Sequence, residues 1–504
     1  MTKMPNSSLL LTTPEQACSW LRERSLARLH TDSRKVRAGD AFIAWPGAAT
    51  DGRQYVASAL TSGASACLVE AQGSEKFNFQ DTKVALYAGL KSATGLIASA
   101  YYAQPSRGLD IIAITGTNGK TTTAWLMSQA IANALETPCG LVGTLGVGMT
   151  SSGQAPLVQP NGLTTPDPVL LQESFAHIKE HGASACVLEA SSIGIAERRL
   201  DGTRIRVAVF TNFSQDHLDY HQNMQAYWAC KEELFSWQGL SAAVVNLDDP
   251  KGVQLAQSLV SKSIDVWTVS LGQGARLRAS GLTYINGGAS FELIEDQTTC
   301  HLQTQLIGNF NVSNMLCVIA SMRAIGIPLA KAVLACEGLL PVPGRMECIQ
   351  LPQAPMVIVD YAHTPDALAK ALQALRPIAQ QRTGRLWCVF GCGGNRDATK
   401  RPVMGRFAQE CADQVVITSD NPRDETPQDI SAQIVNGFNQ KEQAHVENDR
   451  AVAIAYAVCE ASPQDVILIA GKGHEDYQEV AGHKMPFNDI DHARRALIRK
   501  GYTS

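Results

Sequence analysis

Continuous apolar runs that stop abruptly at polar loops organise most of this chain. At "LDIIAITGTNGK" (109–120) an apolar run ends in a glycine-rich turn, and "TTTAWLMSQAIANAL" follows with helical spacing. That order predicts strand, loop and helix, the repeating unit of an α/β nucleotide-binding domain. "ACVLEA", "RVAVFTN" and "AAVVNLDD" read as further buried strands. Their apolar positions do not alternate with polar ones, which predicts a mostly parallel sheet covered on both faces.

Upstream, "DAFIAWPG" and "ASACLVEA" predict strands on either side of a helix in "GRQYVASALTSG". Downstream, "PMVIVDYAHTP", "LWCVFGCGGNRD", "QVVITSDNPRDE" and "DVILIAGKGHED" each carry an apolar strand into a polar loop. Open α/β sheets bind ligands at the carboxyl ends of their strands, so four such loops predict a shared site. The pattern divides the chain into residues 1–108, 109–340 and 341–504.

Composition narrows the class. With 504 residues, two to four domains are expected. A net charge of -4 gives no global basic field for nucleic acid, so any anion site must be local. The 13 cysteines include no C-x-x-C pair, which predicts reduced thiols in the cytoplasm rather than a disulfide framework or zinc site. "MTKMPNSSLLLTTPEQ" carries one lysine and a three-leucine run, which does not predict a secretory leader. No apolar stretch approaches the ~20 residues that span a bilayer, so no membrane insertion is expected.

The glycine-rich turn holds the first chemistry. Gly116, Thr117, Asn118 and Gly119 let backbone N–H groups converge on phosphate oxygens at a helix N-terminus. Lys120 suits the β- and γ-phosphates, and Thr121 or Thr122 suits Mg²⁺. The usual loop has glycine where this chain has Ile114, so the turn is shortened. It predicts a nucleoside triphosphate without naming the reaction.

After the next strands, Glu189, Asp216, His217, Asp219 and His221 form a candidate Mg²⁺ region. Mg²⁺ typically takes only one or two protein carboxylates, so most of these are not direct ligands. Lys231 in "YWACKEELF" reads as a solvated helical lysine, and Asn311 and Arg345 read as turn residues. In the third block Arg396, Asp420, Asn421, Arg423, Lys472, His474 and Glu475 follow strands. Arginine forks with carboxylates suit a zwitterion such as an amino acid. "GCGGNR" is not a dinucleotide fingerprint.

Taken in order, "TGTNGKTTT", "TTPDP", "EASS", "TNFSQDHLDYH", "YWACKEELF", "GNFNVSN", "PVPGRME", "DYAHTPDAL", "GCGGNRDATKRP", "SDNPRDE" and "AGKGHEDYQ" resemble the Mur ligases along essentially the whole chain. The shortened TGTNGKT loop is usual for that family. The resemblance implies an N-terminal domain for a UDP-linked substrate (1–108), a central P-loop-type ATPase (109–340) and a C-terminal Rossmann-like domain for an amino acid (341–504). It implies an ATP-dependent ligase that adds the third peptide residue, meso-diaminopimelate, to UDP-N-acetylmuramoyl-L-alanyl-D-glutamate through an acyl phosphate. A cytoplasmic monomer is expected. L-lysine-adding and folylpolyglutamate-type ligases are the alternatives within the class, and a silent nucleotide-binding module is the alternative outside it. "SDNPRDE" weighs against lysine and the N-terminal block against the folate branch.

The same resemblance assigns residues. Lys231 matches the family lysine that becomes carbamylated, and Thr121, Glu189 and His217 match positions around the metal. Asn311, Arg345 and Asp360 match positions around the adenine nucleotide. Ser33 matches a uridine contact, and Thr164, Thr165, Ser191, Glu197 and Arg199 fall at the muramoyl-dipeptide part. Arg396, Asp420, Asn421, Pro422, Arg423, Gly471 and Glu475 fall at the diaminopimelate pocket, with Arg423 on the second carboxylate. Two positions depart from the family pattern. Ile193 stands where histidine is frequent, and Glu197 stands where glutamine is frequent. A carboxylate facing an anionic substrate repels it, so Glu197 is expected to point away or to pair with Arg198 or Arg199.

Overall fold

The computed structural model describes residues 9–24, 27–47, 50–272, 274–285, 288–440 and 444–502. Residues 1–8 of the N-terminal stretch lie outside this set. The chain forms two compact units, Met1–Leu277 with Met315–Cys336, and Arg278–Asn314 with Glu337–Ser504.

In the first unit a five-stranded parallel sheet comes first: β1 (Leu9–Leu11), β2 (Leu29–His30), β3 (Ala41–Ala44), β4 (Ala66–Glu70) and β5 (Val84–Tyr87), in the order β1-β5-β4-β3-β2. β3 and β4 are buried at every position, which explains their unbroken apolar sequence. The helix Leu90–Tyr101 connects this sheet to the second sheet of the unit. A Cβ on Gly95 would lie 2.2 Å from the Asp201 carbonyl oxygen, so only glycine lets that helix approach so closely.

The second sheet of this unit contains β6 (Asp110–Thr115), β7 (Cys139–Gly143), β8 (Gly146–Thr150), β9 (Leu157–Gln159), β10 (Ala185–Glu189), β11 (Val207–Phe210), β12 (Ala242–Asn246) and β13 (Asp265–Ser270). Their order is β13-β12-β11-β6-β10-β7-β8-β9, parallel from β13 to β7, with β8 and β9 antiparallel at the edge. Register aligns the ends: Glu189 pairs with Ile114, and Phe210 with Thr115 and Val245. The loops after β6, β10, β11 and β12 therefore leave the sheet at one edge. Helix Lys120–Leu135 is buried on nearly all sides, as expected for a sequence as uniformly apolar as "AWLMSQAIANAL".

The second unit holds β14 (Leu277–Ile285), β15 (Gly288–Glu295) and β16 (Thr298–Gln303), with β15 and β16 antiparallel. Its main sheet contains β17 (Glu347–Ile349), β18 (Met356–Asp360), β19 (Leu386–Phe390), β20 (Gln414–Ile417), β21 (Ala444–Val446) and β22 (Val466–Ala470). The order is β17-β18-β22-β19-β20-β21, parallel except for β17. A short hairpin, β23 (Tyr477–Val480) and β24 (His483–Pro486), comes after β22. Ala470 pairs with both Asp360 and Phe390, and Phe390 with Ile417. All four polar loops anticipated from the sequence thus begin at one edge of one sheet.

Candidate active site

The phosphate loop is built by two glycines in the left-handed region. Gly116 has φ 148° and Gly119 φ 84°. A Cβ on Gly116 would fall 1.9 Å from Thr211 Oγ1, so the loop can lie against the β11 loop only with glycine there. Asn212 and Thr211 hold the opposite side: Asn118 N donates to Asn212 Oδ1 at 2.9 Å, and Thr211 Oγ1 donates to the Asn118 carbonyl at 2.7 Å. Thr117 Oγ1 lies 3.1 Å from the Tyr227 hydroxyl. Thr122, on the first helical turn, is buried.

Two lysines converge on this loop. Lys120 Nζ donates to the carbonyls of Gly116 at 2.8 Å and Thr117 at 2.9 Å. Lys231 Nζ donates to the same Gly116 carbonyl at 2.8 Å and lies 4.5 Å from the Tyr227 ring centroid. Lys231 is only 1% exposed, so the reading of a solvated helical lysine is corrected. The helix Met224–Glu233 buries Tyr227, Trp228 and Lys231 together, and that aromatic face carries the lysine inward. Burial, reinforced by the Lys120 charge, pushes the Lys231 amine well below the ordinary lysine range.

Glu189 ends β10 beneath the loop. Its carboxylate accepts from Thr121 Oγ1 at 2.9 Å, Thr144 N at 2.8 Å and Thr144 Oγ1 at 3.2 Å. Thr144 Oγ1 in turn lies 3.0 Å from Thr164 Oγ1. Thr144 escaped the sequence reading, although it comes after the apolar strand "GLVG" in the same way that Glu189 comes after "CVL". His217 has φ 52°, a conformation that non-glycine residues adopt rarely and often at functional sites. Burial lowers its pKa, with Lys120 and Lys231 adding to that effect and Asp216 opposing it. The imidazole is therefore neutral near pH 7 and able to accept.

The wider acidic and histidine region does not assemble. Among the described residues no three His, Cys, Asp or Glu side chains form a metal-binding group. His221 is buried, with Nε2 2.9 Å from Ser192 Oγ and Nδ1 3.8 Å from Cys230 Sγ.

The segment 191–199 forms a tight turn below Glu189. Thr165 Oγ1 donates to the Glu189 carbonyl at 2.7 Å and lies 2.9 Å from Ser191 Oγ, which caps the short helix Ser192–Ala196. Arg199 donates to the Thr165 carbonyl at 2.9 Å. Glu197 pairs with neither neighbouring arginine. Its carboxylate meets Lys91 Nζ at 2.6 Å and accepts from the Tyr220 hydroxyl, while Arg198 pairs with Glu233 at 2.6 Å. Partial burial opposes ionisation of Glu197, but Lys91 and Tyr220 outweigh it and hold its pKa below the usual value. Ser33 lies in the first sheet's territory, heading a short 3-10 turn that Asp32 caps.

In the second unit, the buried Asn311 donates to the Ile307 carbonyl at 2.8 Å. The Arg345 guanidinium stacks 4.3 Å from the Tyr361 ring centroid, and its Nε is buried without a hydrogen-bond partner among the described residues. Asp360 Oδ2 accepts from Met346 N at 2.7 Å, and burial raises its pKa although Arg345 opposes the shift. The Tyr361 ring also lies 5.3 Å from His474, whose pKa burial and Arg345 push down to about 4.

The loops after β19, β20 and β22 bring the amino-acid candidates together. A Cβ on Gly393 would lie 3.0 Å from Arg423 Nη1 and 3.7 Å from Arg396 Cγ, so both arginines border one glycine. Arg396 is exposed, whereas Asp420, Asn421 and Pro422 are buried. A Cβ on Gly471 would meet Asp420 Oδ2 at 2.4 Å, and its φ of 118° strains any side chain there, so a substitution would displace the Asp420 carboxylate. Arg423 has φ 50°, donates to the Gly394 carbonyl at 2.8 Å and pairs with Glu479 at 3.3 Å. Asn421 Nδ2 donates to Glu475 Oε2 at 2.8 Å.

Beneath these loops lies a pair that the sequence did not single out. Arg450 and Asp489 are both fully buried, 2.7 Å apart, and Arg450 also donates to the Ser419 carbonyl at 3.2 Å and the Ala470 carbonyl at 3.0 Å. Those carbonyls immediately precede Asp420 and Gly471. A lone Arg opening "RAVAIAYAVCE" carries no sequence signal for burial beyond its place at a helix start.

A shortened phosphate loop on one parallel sheet and an arginine–carboxylate pocket on another define an ATP-using ligase architecture, and the chain belongs to the Mur ligase family. The Mur ligase middle domain matches residues 114–322, the Mur ligase glutamate ligase domain residues 344–473, and the Mur ligase family catalytic domain residues 26–100. Among relatives, the UDP-N-acetylmuramoyl-L-alanyl-D-glutamate--2,6-diaminopimelate ligase of Acidovorax sp. (strain JS42) is 56% identical, covering 98% of this chain and 99% of that protein. The protein of the same name from Janthinobacterium sp. (strain Marseille) is 47% identical, covering 97% and 98%. A solved structure of a ligase with that name aligns with TM-score 0.67 at 35% identity, covering 94% of this chain and 95% of the other. A MurF structure from Acinetobacter baumannii, at 18% identity and TM-score 0.67, shares the fold.

Proposed function

We propose that this chain is an ATP-dependent, ADP-forming amide ligase of peptidoglycan precursor synthesis. It joins meso-2,6-diaminopimelate to the D-glutamate γ-carboxylate of UDP-N-acetylmuramoyl-L-alanyl-D-glutamate. The observation that carries this reading is the convergence of Lys120, Lys231, Thr121 and Glu189 on a single phosphate loop. The full-length likeness to ligases of that name supports it.

In the first step a γ-carboxylate oxygen attacks the terminal phosphorus of ATP and ADP departs. Lys120 and the N–H groups from Gly116 to Thr122 balance the charge of the phosphoryl group as it moves between anions. Thr164, Thr165, Ser191 and Arg199 hold the dipeptide end, and Ser33 the uridine end, with Glu197 neutralised by Lys91. Asn311, Arg345 and Asp360 hold the adenosine. In the second step the amine of diaminopimelate attacks the acyl carbon, loses a proton, and phosphate leaves as the amide forms. Asp420, Asn421, Pro422, Gly471 and Glu475 shape the pocket, while Arg396 and Arg423 receive carboxylates. Lysine lacks the second carboxylate, so with that acceptor the Arg423 guanidinium keeps only its Glu479 and Gly394 partners and gains no ligand contact.

Magnesium belongs to the same proposal. The donor set fits a hard cation, because the Thr121 hydroxyl and Glu189 carboxylate lie 2.9 Å apart in a buried position with the neutral His217 as a further candidate. Thr121, Glu189, His217 and a carbamylated Lys231 would hold it, and once bound it would supply positive charge to the phosphates. The depressed amine of Lys231 is suited to modification: once the ammonium has given up one proton, its nitrogen adds to CO₂ and releases a second, which turns the cation into a carboxylate.

The blocks 1–108, 109–340 and 341–504 serve the UDP-linked substrate, ATP and the amino acid in turn. The enzyme acts as a cytoplasmic monomer without a nucleic-acid partner. No helix among the described residues is long and apolar enough to cross a membrane.

The test is oxygen transfer. With heavy oxygen in the γ-carboxylate, one labelled atom is expected in the inorganic phosphate released during turnover. Product formed with wholly unlabelled phosphate would overturn the acyl-phosphate step.

A further inference from the structure

Lys472 belongs to the loop after β22 and is 0% exposed, although lysine is almost never fully buried unless it is paired. Its Nζ donates to Glu475 Oε2 at 2.9 Å and to Asn421 Oδ1 at 3.1 Å. Asn421 Nδ2 closes the ring on Glu475 Oε2 at 2.8 Å, and Glu479 N fixes the amide by donating to Asn421 Oδ1 at 2.9 Å. Three side chains from two loops are thus locked into one arrangement.

The lock is asymmetric. Glu475 Oε2 takes two donors, while Oε1 takes none among the described residues. The Glu475 side chain is 18% exposed, so Oε1 is the oxygen left to face a ligand. A carboxylate with one oxygen anchored and one open is suited to an ammonium group. Lys472 itself is wholly enclosed and cannot touch an acceptor.

We infer that Lys472 is a positioning residue for the acceptor amino acid, holding Glu475 and Asn421 in the geometry that receives the acceptor's ammonium group. The inference rests on the proposed ligase reaction. Without Lys472 the Glu475 carboxylate loses a charged anchor and the Asn421 amide loses one of the two donors to its oxygen. Preorganisation is then lost at the acceptor site alone, because neither group belongs to the phosphate loop. Diaminopimelate and lysine both carry the ammonium, so Lys472 governs acceptor affinity without choosing between them, whereas Arg423 chooses.

The experiment measures KM for each substrate in wild type, Lys472→Met, Glu475→Gln and the double variant. Lys472→Met is expected to raise KM for diaminopimelate by about tenfold, leaving KM for ATP and for the UDP-linked substrate within about twofold. In the Glu475→Gln background the same substitution is expected to add less than about twofold, because both changes remove one arrangement. An unchanged acceptor KM in Lys472→Met overturns the inference. So does full additivity, or an equal rise in all three KM values, either of which marks a purely structural lysine. Should Lys472→Met fail to fold, Lys472→Leu, which also removes the donor, is read by the same criteria. Wild-type enzyme that forms no product with diaminopimelate refutes the ligase reading itself, and the inference with it.

Discussion

Lys120 and Lys231 donate to one and the same oxygen, the Gly116 carbonyl, each at 2.8 Å. Two ammonium groups at one carbonyl repel, and the buried one yields: Lys231 is driven well below the ordinary lysine range, first by burial and then by Lys120. An enclosed amine whose pKa is driven down, beside a phosphate loop, is poised to react with CO₂.

Isotopically labelled bicarbonate is therefore expected to give a carbamate carbonyl resonance in wild-type protein that is absent from Lys231→Arg. The variant should lose turnover by at least about a hundredfold, the scale of removing one preorganised charge-stabilising group. A Lys231→Arg enzyme with near-normal turnover would contradict the role given to the carbamate.

The Glu197–Lys91 pair makes a different prediction. With side chains 28% and 45% exposed, it contributes little stability, about 0 to 1 kcal/mol. Its effect should instead fall on binding of an anionic substrate. Lys91→Met is expected to raise KM for the UDP-linked substrate by about threefold with thermal stability little altered. Adding Glu197→Gln should restore it. No restoration would show that the carboxylate does not face the substrate.

The Arg450–Asp489 pair has the opposite character, since both groups are fully buried. Arg450→Met leaves Asp489 enclosed without its partner and is expected to cost about 3 to 5 kcal/mol in denaturant unfolding. The double variant Arg450→Met, Asp489→Leu should recover much of that loss. A single variant as stable as wild type would refute the structural weight assigned to this pair.

His474 supplies the pH dependence. Burial and Arg345 bring its folded-state pKa down to about 4, from an ordinary value of 6.5. Between those values the unfolded chain binds the proton and the folded chain does not. Stability contributed by this group is therefore complete above pH 6.5 and falls as pH drops towards 4, by at most about 3 kcal/mol. His474→Asn should flatten that part of the unfolding profile. An identical slope in the variant would assign the acid loss to other groups.

The elements that carry chemistry were legible because buried parallel strands leave an unmistakable pattern. β6, β10, β11, β18, β19, β20 and β22 all lie within the apolar runs of the sequence, and each runs into the polar loop expected of it. The inward turn of Lys231 was not legible from helix periodicity, because the face that Tyr227 and Trp228 bury also bears Lys231, next to the exposed Glu232. The partner of Glu197 escaped for a different reason: Lys91 lies on a helix of the first block, and no local spacing announces a pairing so distant in sequence. Lys472 was a candidate from the sequence and Arg450 was not, but the burial of both was hidden by the general rule that charged residues are solvated, which fails where buried carboxylates or amides receive the charge.

Acceptor choice is the most direct test of the proposed reaction. ATP-dependent phosphate release would be measured with UDP-N-acetylmuramoyl-L-alanyl-D-glutamate, Mg²⁺ and either meso-diaminopimelate or L-lysine, in wild type and in Arg423→Ala. Turnover with diaminopimelate, a preference over lysine of at least about a hundredfold, and collapse of that preference in the variant are expected. Turnover with lysine equal to that with diaminopimelate in wild-type enzyme would contradict the proposed reaction.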